Sequence, residues 1–340
     1  MGNVEDYVYV LGDWDADGLV SSALVKYSQE SLGLYPLSSK YVVKAAPTTS
    51  RNLGKVLRDI SRCPKALVLL DLPYVRSLER VLKGFKKVCK DTLIIYVDHH
   101  ISTFDNVDKL EKCVNSILIN PSPTTRIVYE KIRSLGGRVT PRLEAFAKVI
   151  TYMDEGVKVP SSLEKIGELV IEISKALAVA KDEALWLELL GWLSEKSLIP
   201  RKSVTKILSK VSELAKKLDK EVKEIALDLS MTAKKVGYVK YIRLKKKNYA
   251  FSSTVLASKI YYILKSTIAL RVPKRGYDLL IIKGRKGVPY RMAIKLRDLG
   301  VIEDIGGHES LIVAKLKGGV DDSVLEIALR EASLPYRMSS

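Results

Sequence analysis

The chain has 340 residues, 47% of them hydrophobic, which is enough for a substantial core in two domains and argues against long-range disorder. Its net charge of +18 points toward a polyanion or an acidic surface as partner. No run approaches about twenty apolar residues, and the start, MGNVEDYVYV, lacks a signal-peptide pattern, so a soluble, cytoplasmic protein with no membrane partner is expected.

Three short apolar runs open the chain: residues 6–13 (DYVYVLGD), 65–73 (KALVLLDLP) and 92–100 (TLIIYVDHH). Each reads as a strand buried on both faces, and each carries an aspartate at or near its end. Segments 18–32 and 75–87 have helical periodicity, which makes consecutive βαβ units around a parallel sheet. SILINPSP (116–123) adds a further strand closed by prolines. Beyond it the texture turns Leu-, Ala-, Glu- and Lys-rich with amphipathic spacing, then returns to Tyr- and β-branched-rich strands near 237–244, 266–272 and 277–284. Helices are expected there at 252–265, 289–299 and 322–332. The expected fold class is α/β: a parallel-sheet domain over 1–156, a helical connector over 157–235 and a smaller α/β domain over 236–340. Cys63, Cys89 and Cys113 are odd in number with no CxxC spacing, which predicts reduced thiols. One glutamine and six asparagines beside abundant Lys and Glu suit a protein selected for heat.

Ligands of an open parallel sheet bind at the carboxyl ends of its strands. Four carboxylate clusters fall there: Asp13, Asp15 and Asp17 in GDWDADG, Asp71 in LLDLP, Asp98 with His99 and His100 in VDHH, and Asp154 in VITYMDEG. A calcium loop starting at Asp13 would need an acidic twelfth residue, which here is Leu24. One Asp after a strand is ordinarily a cap or a turn former. Adjacent histidines beside such an Asp, in a chain with only three histidines, are harder to explain that way. Six carboxylates meeting in one cleft would repel unless divalent cations compensate them. Mixed carboxylate and imidazole donors suit Mn²⁺, with Mg²⁺, Co²⁺ or Zn²⁺ as substitutes. Two such ions would favour phosphoester hydrolysis.

The ordered set DxDxDG, strand-end Asp, DHH and later Asp resembles the DHH phosphoesterase superfamily. Its RecJ-like and oligonucleotidase branch, of archaeal type, is the nearest in pattern. INPSPTTRIVYE (119–130) is similar to the Asn-Pro and small-hydroxyl stretch that follows DHH there. The resemblance implies two divalent ions, Mn²⁺ preferred. Asp15 would hold one and Asp17 the other, with Asp71 bridging and His99 and Asp154 completing the second site. Asp13 stands where many relatives carry histidine, and is assigned to the first ion. The catalytic residues would be Asp98, which orients the histidines or touches a metal, and His100, which faces the substrate phosphate.

The third histidine, His308, follows Gly306 and Gly307 in EDIGGHES. That stretch resembles the Gly-Gly-His loop of the C-terminal domain accompanying DHH, with Arg291 as its upstream arginine. Residues 236–317 carry 18 Lys/Arg against 5 Asp/Glu, a net of +13, interleaved with tyrosines. Cations that track phosphates and rings that stack on bases suit a single strand of DNA or RNA. Lys245, Lys246 and Lys247 are the foremost contact candidates. The expected function is a Mn²⁺-dependent RecJ-like exonuclease. The alternatives are an enzyme for short oligonucleotides, cyclic dinucleotide products or a nucleoside 3′,5′-bisphosphate, and a replication scaffold beside GINS or other repair proteins.

Overall fold

A computed structural model of the chain describes residues 6–197, 202–245, 249 and 251–334. The chain divides into two compact units, Met1–Ala215 and Lys216–Ser340.

The first unit is a five-stranded parallel sheet in the order β2-β1-β3-β4-β5, formed by β1 (Tyr7–Gly12), β2 (Val42–Pro47), β3 (Ala66–Leu70), β4 (Leu93–Asp98) and β5 (Ser116–Ile119). Helices α1 (Ala16–Tyr27), α2 (Leu53–Arg58), α3 (Ser77–Val88), α4 (Ile101–Phe104) and α5 (Val107–Glu111) fill the crossovers. After β5 come α6 (Thr124–Ser134), α7 (Pro141–Asp154), α8 (Glu164–Ala180) and α9 (Glu183–Ser194). Strand alternation sends successive side chains into two cores. Val8, Val10, Val68, Leu70, Ile95 and Val97 pack with α1 and α6–α9, while Leu67, Leu69, Ile94 and Tyr96 pack with α2 and α3. Burial of both faces explains why β1, β3 and β4 read as continuous apolar runs.

Strand β2 was not anticipated, and it matters. With β2 on one side of β1 and β3 on the other, the order reverses at β1, and the crevice at such a reversal is where open α/β sheets bind ligands. The loops after β1, β3 and β4 leave from that edge.

Two expectations need correction. The segment expected to connect two domains does not stand apart: α8 and α9 lend Val170, Ile173, Trp186 and Leu189 to the core around α1. The division therefore falls inside the 30-residue helix α10 (Lys202–Met231) rather than at 156 and 235. The cysteines are not all reduced either. Cys63 and Cys89 are joined in a disulfide with Cα atoms 5.4 Å apart, and Cys113 is free and buried. In a βα unit the helix runs back along its strand, which returns the end of α3 to the start of β3.

The second unit is a mixed six-stranded sheet, order β10-β11-β9-β8-β7-β6. Its elements are β6 (Lys234–Val236), β7 (Val239–Arg243), α11 (Ser253–Leu264), β8 (Ile268–Lys274), β9 (Tyr277–Lys283), α12 (Val288–Asp298), β10 (Ile302–His308), β11 (Leu311–Leu316) and α13 (Asp322–Ala332). Arg271, only 8% exposed, ties it together. Its guanidinium donates to Asp278 at 2.7 Å, to Asp322 at 2.8 Å and to the Val320 carbonyl at 2.9 Å. Asp322 also accepts from the Tyr241 hydroxyl at 2.6 Å and from Arg243.

Candidate metal centre

Gly18 lets the acidic loop fold onto itself. A Cβ there would lie 2.4 Å from the Asp13 nitrogen, so no other residue fits without moving the backbone. Asp15 caps α1, its Oδ1 accepting from the Gly18 amide at 3.0 Å. Asp17 is turned across to α6: the amides of Thr124 and Thr125 donate to its two oxygens at 2.9 and 2.7 Å. The positive end of α6 thus holds a carboxylate belonging to α1.

Asp71 follows β3 with φ +60, a left-handed backbone uncommon for any residue but glycine and better tolerated by Asp and Asn than by most. Its amide donates to the Val97 carbonyl at 3.0 Å, and its Oδ1 accepts from the Thr124 hydroxyl at 3.2 Å. One threonine therefore sets both Asp17 and Asp71.

His99 lies among these carboxylates. Its Nε2 is 3.4 Å from Asp71 and 3.6 Å from Asp17, and its Nδ1 is 3.9 Å from Asp154. One donor atom from each of Asp17, Asp71 and His99 lies within 4.8 Å of the others. That spacing suits donors wrapped around one ion at bonds of about 2.0–2.2 Å. Asp154 reaches in from the last residue of α7, where the helix dipole disfavours a carboxylate unless a cation is near. Asp98 is occupied differently. Its oxygens take His100 Nδ1 at 2.8 Å, the His100 amide at 3.2 Å and the Thr103 hydroxyl. Asp98 therefore orients His100.

The electrostatics favour bound cations. Burial, then repulsion from Asp15, raises Asp13 to about 7, against the pull of Lys181 and His100. Burial also raises Asp17, and raises Asp71 well above the usual carboxylate range, with Asp17 and Asp15 adding repulsion. Burial alone would discharge His100, but the Asp98 carboxylate outweighs it and raises the imidazole to about 9. Burial opposes the Asp98 charge as well, and His100 and Thr103 overcome that and lower its pKa. These donors suit hard divalent ions.

A carboxyl whose folded pKa is raised binds its proton more tightly in the native state, so stability falls as pH rises through that pKa. The Asp13 contribution falls between about pH 4 and about 7, and the favourable His100 contribution, complete below about 6.5, is lost toward about 9. The melting temperature of chelator-treated protein is therefore expected to decline from pH 5 to pH 8. Saturating Mn²⁺ or Mg²⁺ should flatten that decline and, at a hundred times its Kd, add about 2.7 kcal/mol. A chelated protein that becomes more stable across this range would contradict the assignment.

The second unit places the remaining expected residues as follows. Gly306, Gly307 and His308 do not form a loop. They end β10 in an antiparallel hairpin, His308 opposite Leu311. Gly307 has φ +107, and a Cβ there would lie 2.3 Å from the Leu311 carbonyl, so this glycine serves a close backbone approach within the hairpin. Arg291 is exposed on α12 and Lys245 is exposed just past β7, while Lys246 and Lys247 lie outside the described residues. Sequence reasoning missed Thr103, and it singled out the stretch 119–130 without giving Thr124 and Thr125 their role of holding Asp17 and Asp71.

No family model and no curated protein matches the chain by sequence. Solved structures do resemble it. A DHH-domain member of the S1p family of ribosomal proteins aligns with TM-score 0.65 and 15% identity, covering 96% of this chain and 87% of that one. RecJ from Thermus thermophilus, in complex with Mn²⁺, aligns with TM-score 0.61 and 12% identity over 97% of this chain, which spans about half (53%) of that protein. A pGpG-specific phosphodiesterase, PggH, from Vibrio cholerae aligns with TM-score 0.53 and 14% identity, covering 96% of this chain and 99% of the other. The chain has the fold these proteins share. Among the described residues no helix is long and apolar enough to cross a membrane.

Proposed function

We propose that this chain, with the fold of DHH-domain proteins, is a metal-dependent phosphodiesterase that degrades single-stranded DNA or RNA as a RecJ-like exonuclease. The juxtaposition of Asp17, Asp71 and His99 carries the reading. Asp13 and Asp15 would hold one divalent ion, Asp17, His99 and Asp154 the other, and Asp71 would serve both. Bound there, the ions supply charge to neutralise a phosphoryl group and acidify a water. Mn²⁺ is the preferred ion, with Mg²⁺ and Co²⁺ as substitutes; the Thermus thermophilus RecJ structures with Mn²⁺ and with Mg²⁺ support this class of ion. His100, kept cationic by Asp98, would donate a hydrogen bond to a phosphoryl oxygen.

Strand binding falls to the basic unit, through Lys245, Lys246, Lys247, Arg291 and the Gly306-Gly307-His308 end of β10. Its charge supports long substrates, and the amide-poor composition supports a source that grows at high temperature. The likeness to a pGpG-specific phosphodiesterase favours a second reading, an enzyme for dinucleotides and other short products. A non-catalytic scaffold beside GINS is the weaker third, because the acidic and imidazole donors are all present.

Rates on 5′-labelled and 3′-labelled single strands from two to thirty nucleotides, as RNA and DNA, test the choice. The exonuclease reading expects kcat/KM to rise with length and the rise to flatten at high salt. A rate that peaks at two nucleotides would overturn it in favour of the second.

A further inference from the structure

The corner between α8 and α9, far along the chain from the acidic loop, grips that loop. The Ala16 amide donates to the Ser174 hydroxyl at 3.1 Å, and the indole of the buried Trp186 donates to the Asp13 carbonyl at 3.3 Å. Between them lies Lys181, whose ammonium sits 5.1 Å from the centre of the Trp14 ring. Trp14 stands between Asp13 and Asp15, and the Lys181 charge acts on both carboxylates.

Other cations near the centre are already committed. Arg126 pairs with Glu130 at 2.8 Å and Glu155 at 2.6 Å, and His100 is bound to Asp98. Lys181 has no carboxylate within 4.0 Å among the described residues, and its side chain is exposed. Its neighbour Asp182 caps α9 and pairs with Lys210. Among the described residues the ammonium is held by a ring face, which is a weak and easily released contact.

Charge arithmetic says what those donors are for. Asp13, Asp15, Asp17, Asp71, Asp98 and Asp154 bring about −6; two divalent ions and the His100 imidazolium return about +5. Without Lys181 a phosphodiester would enter a site that is still negative, and the Lys181 ammonium removes that excess. We infer that Lys181 is a substrate-binding residue whose ammonium leaves Trp14 to pair with a phosphoryl oxygen. This inference rests on the phosphodiesterase reading and adds the α8–α9 corner to its active site.

Trp14 is a reporter that needs no turnover. Titrating Mg²⁺-loaded protein with thymidine 5′-monophosphate should change the emission component that Trp14→Phe removes, as the ammonium departs. Lys181→Met should abolish that change and weaken the nucleotide's Kd roughly tenfold at a Mg²⁺ concentration that calorimetry shows to saturate the variant. Lys181→Arg should restore most of the binding. Wild-type nucleotide affinity in Lys181→Met overturns the inference and leaves the phosphodiesterase reading intact. Altered Mg²⁺ affinity with unchanged nucleotide affinity overturns it too, making Lys181 only a counter-charge. No nucleotide binding by the wild type would defeat both.

Discussion

Asp71→Asn is expected to lower phosphodiester hydrolysis by about 10³-fold or more while leaving the metal-free protein as stable as wild type, or more so. Asparagine keeps the carbonyl that accepts from Thr124 and tolerates the left-handed backbone at this position. It removes a carboxylate that burial and the neighbouring Asp17 and Asp15 already push toward its neutral form. Relief of that repulsion should raise the melting temperature in chelator, and the stabilisation by added Mn²⁺ should shrink. A merely structural Asp71 would show the reverse: a lower melting temperature in chelator and an undiminished response to metal. Melting curves with and without Mn²⁺, beside a steady-state assay, separate the two.

The largest stability effect is expected at Arg271. Arg271→Met keeps most of the side-chain volume but strips Asp278 of its partner, takes one from Asp322 and leaves the Val320 carbonyl without its donor. The abandoned Asp278 and Asp322 are 22% and 33% exposed, so water takes over part of the lost contact and the cost is about 1.5–3 kcal/mol. Urea unfolding followed by far-ultraviolet circular dichroism should show that loss. Lys286→Met removes only the exposed pair with Glu309, 3.7 Å long, and should cost less than about 1 kcal/mol. Equal effects of the two substitutions would show that the Arg271 network is not what binds β7, β8, β9 and α13.

The gathering of acidic strand ends in the candidate centre could be read from the chain because it obeys a local rule. An apolar run marks a buried strand, and Asp13, Asp71 and Asp98 come where such runs end. A parallel sheet then carries all those ends to one edge. What could not be read depends on tertiary packing. The α8–α9 corner looks like any amphipathic helix pair, and only its packing against α1 brings Ser174, Lys181 and Trp186 to the acidic loop. Strand β2 mixes exposed and buried residues at the sheet edge, so its sequence carries no clean period. The Gly306-Gly307-His308 stretch has loop composition, yet the bare Gly307 is what lets the hairpin close on Leu311. The Cys63–Cys89 pairing follows from the return of α3 along β3, which no cysteine spacing encodes.

Manganese anomalous scattering from crystals soaked in Mn²⁺ tests the central claim most directly. Two peaks are expected about 3.5–4 Å apart, one beside Asp13 and Asp15, one beside Asp17, His99 and Asp154, with Asp71 touching both. Peaks elsewhere on the chain, or none with these side chains ordered as described, would contradict it.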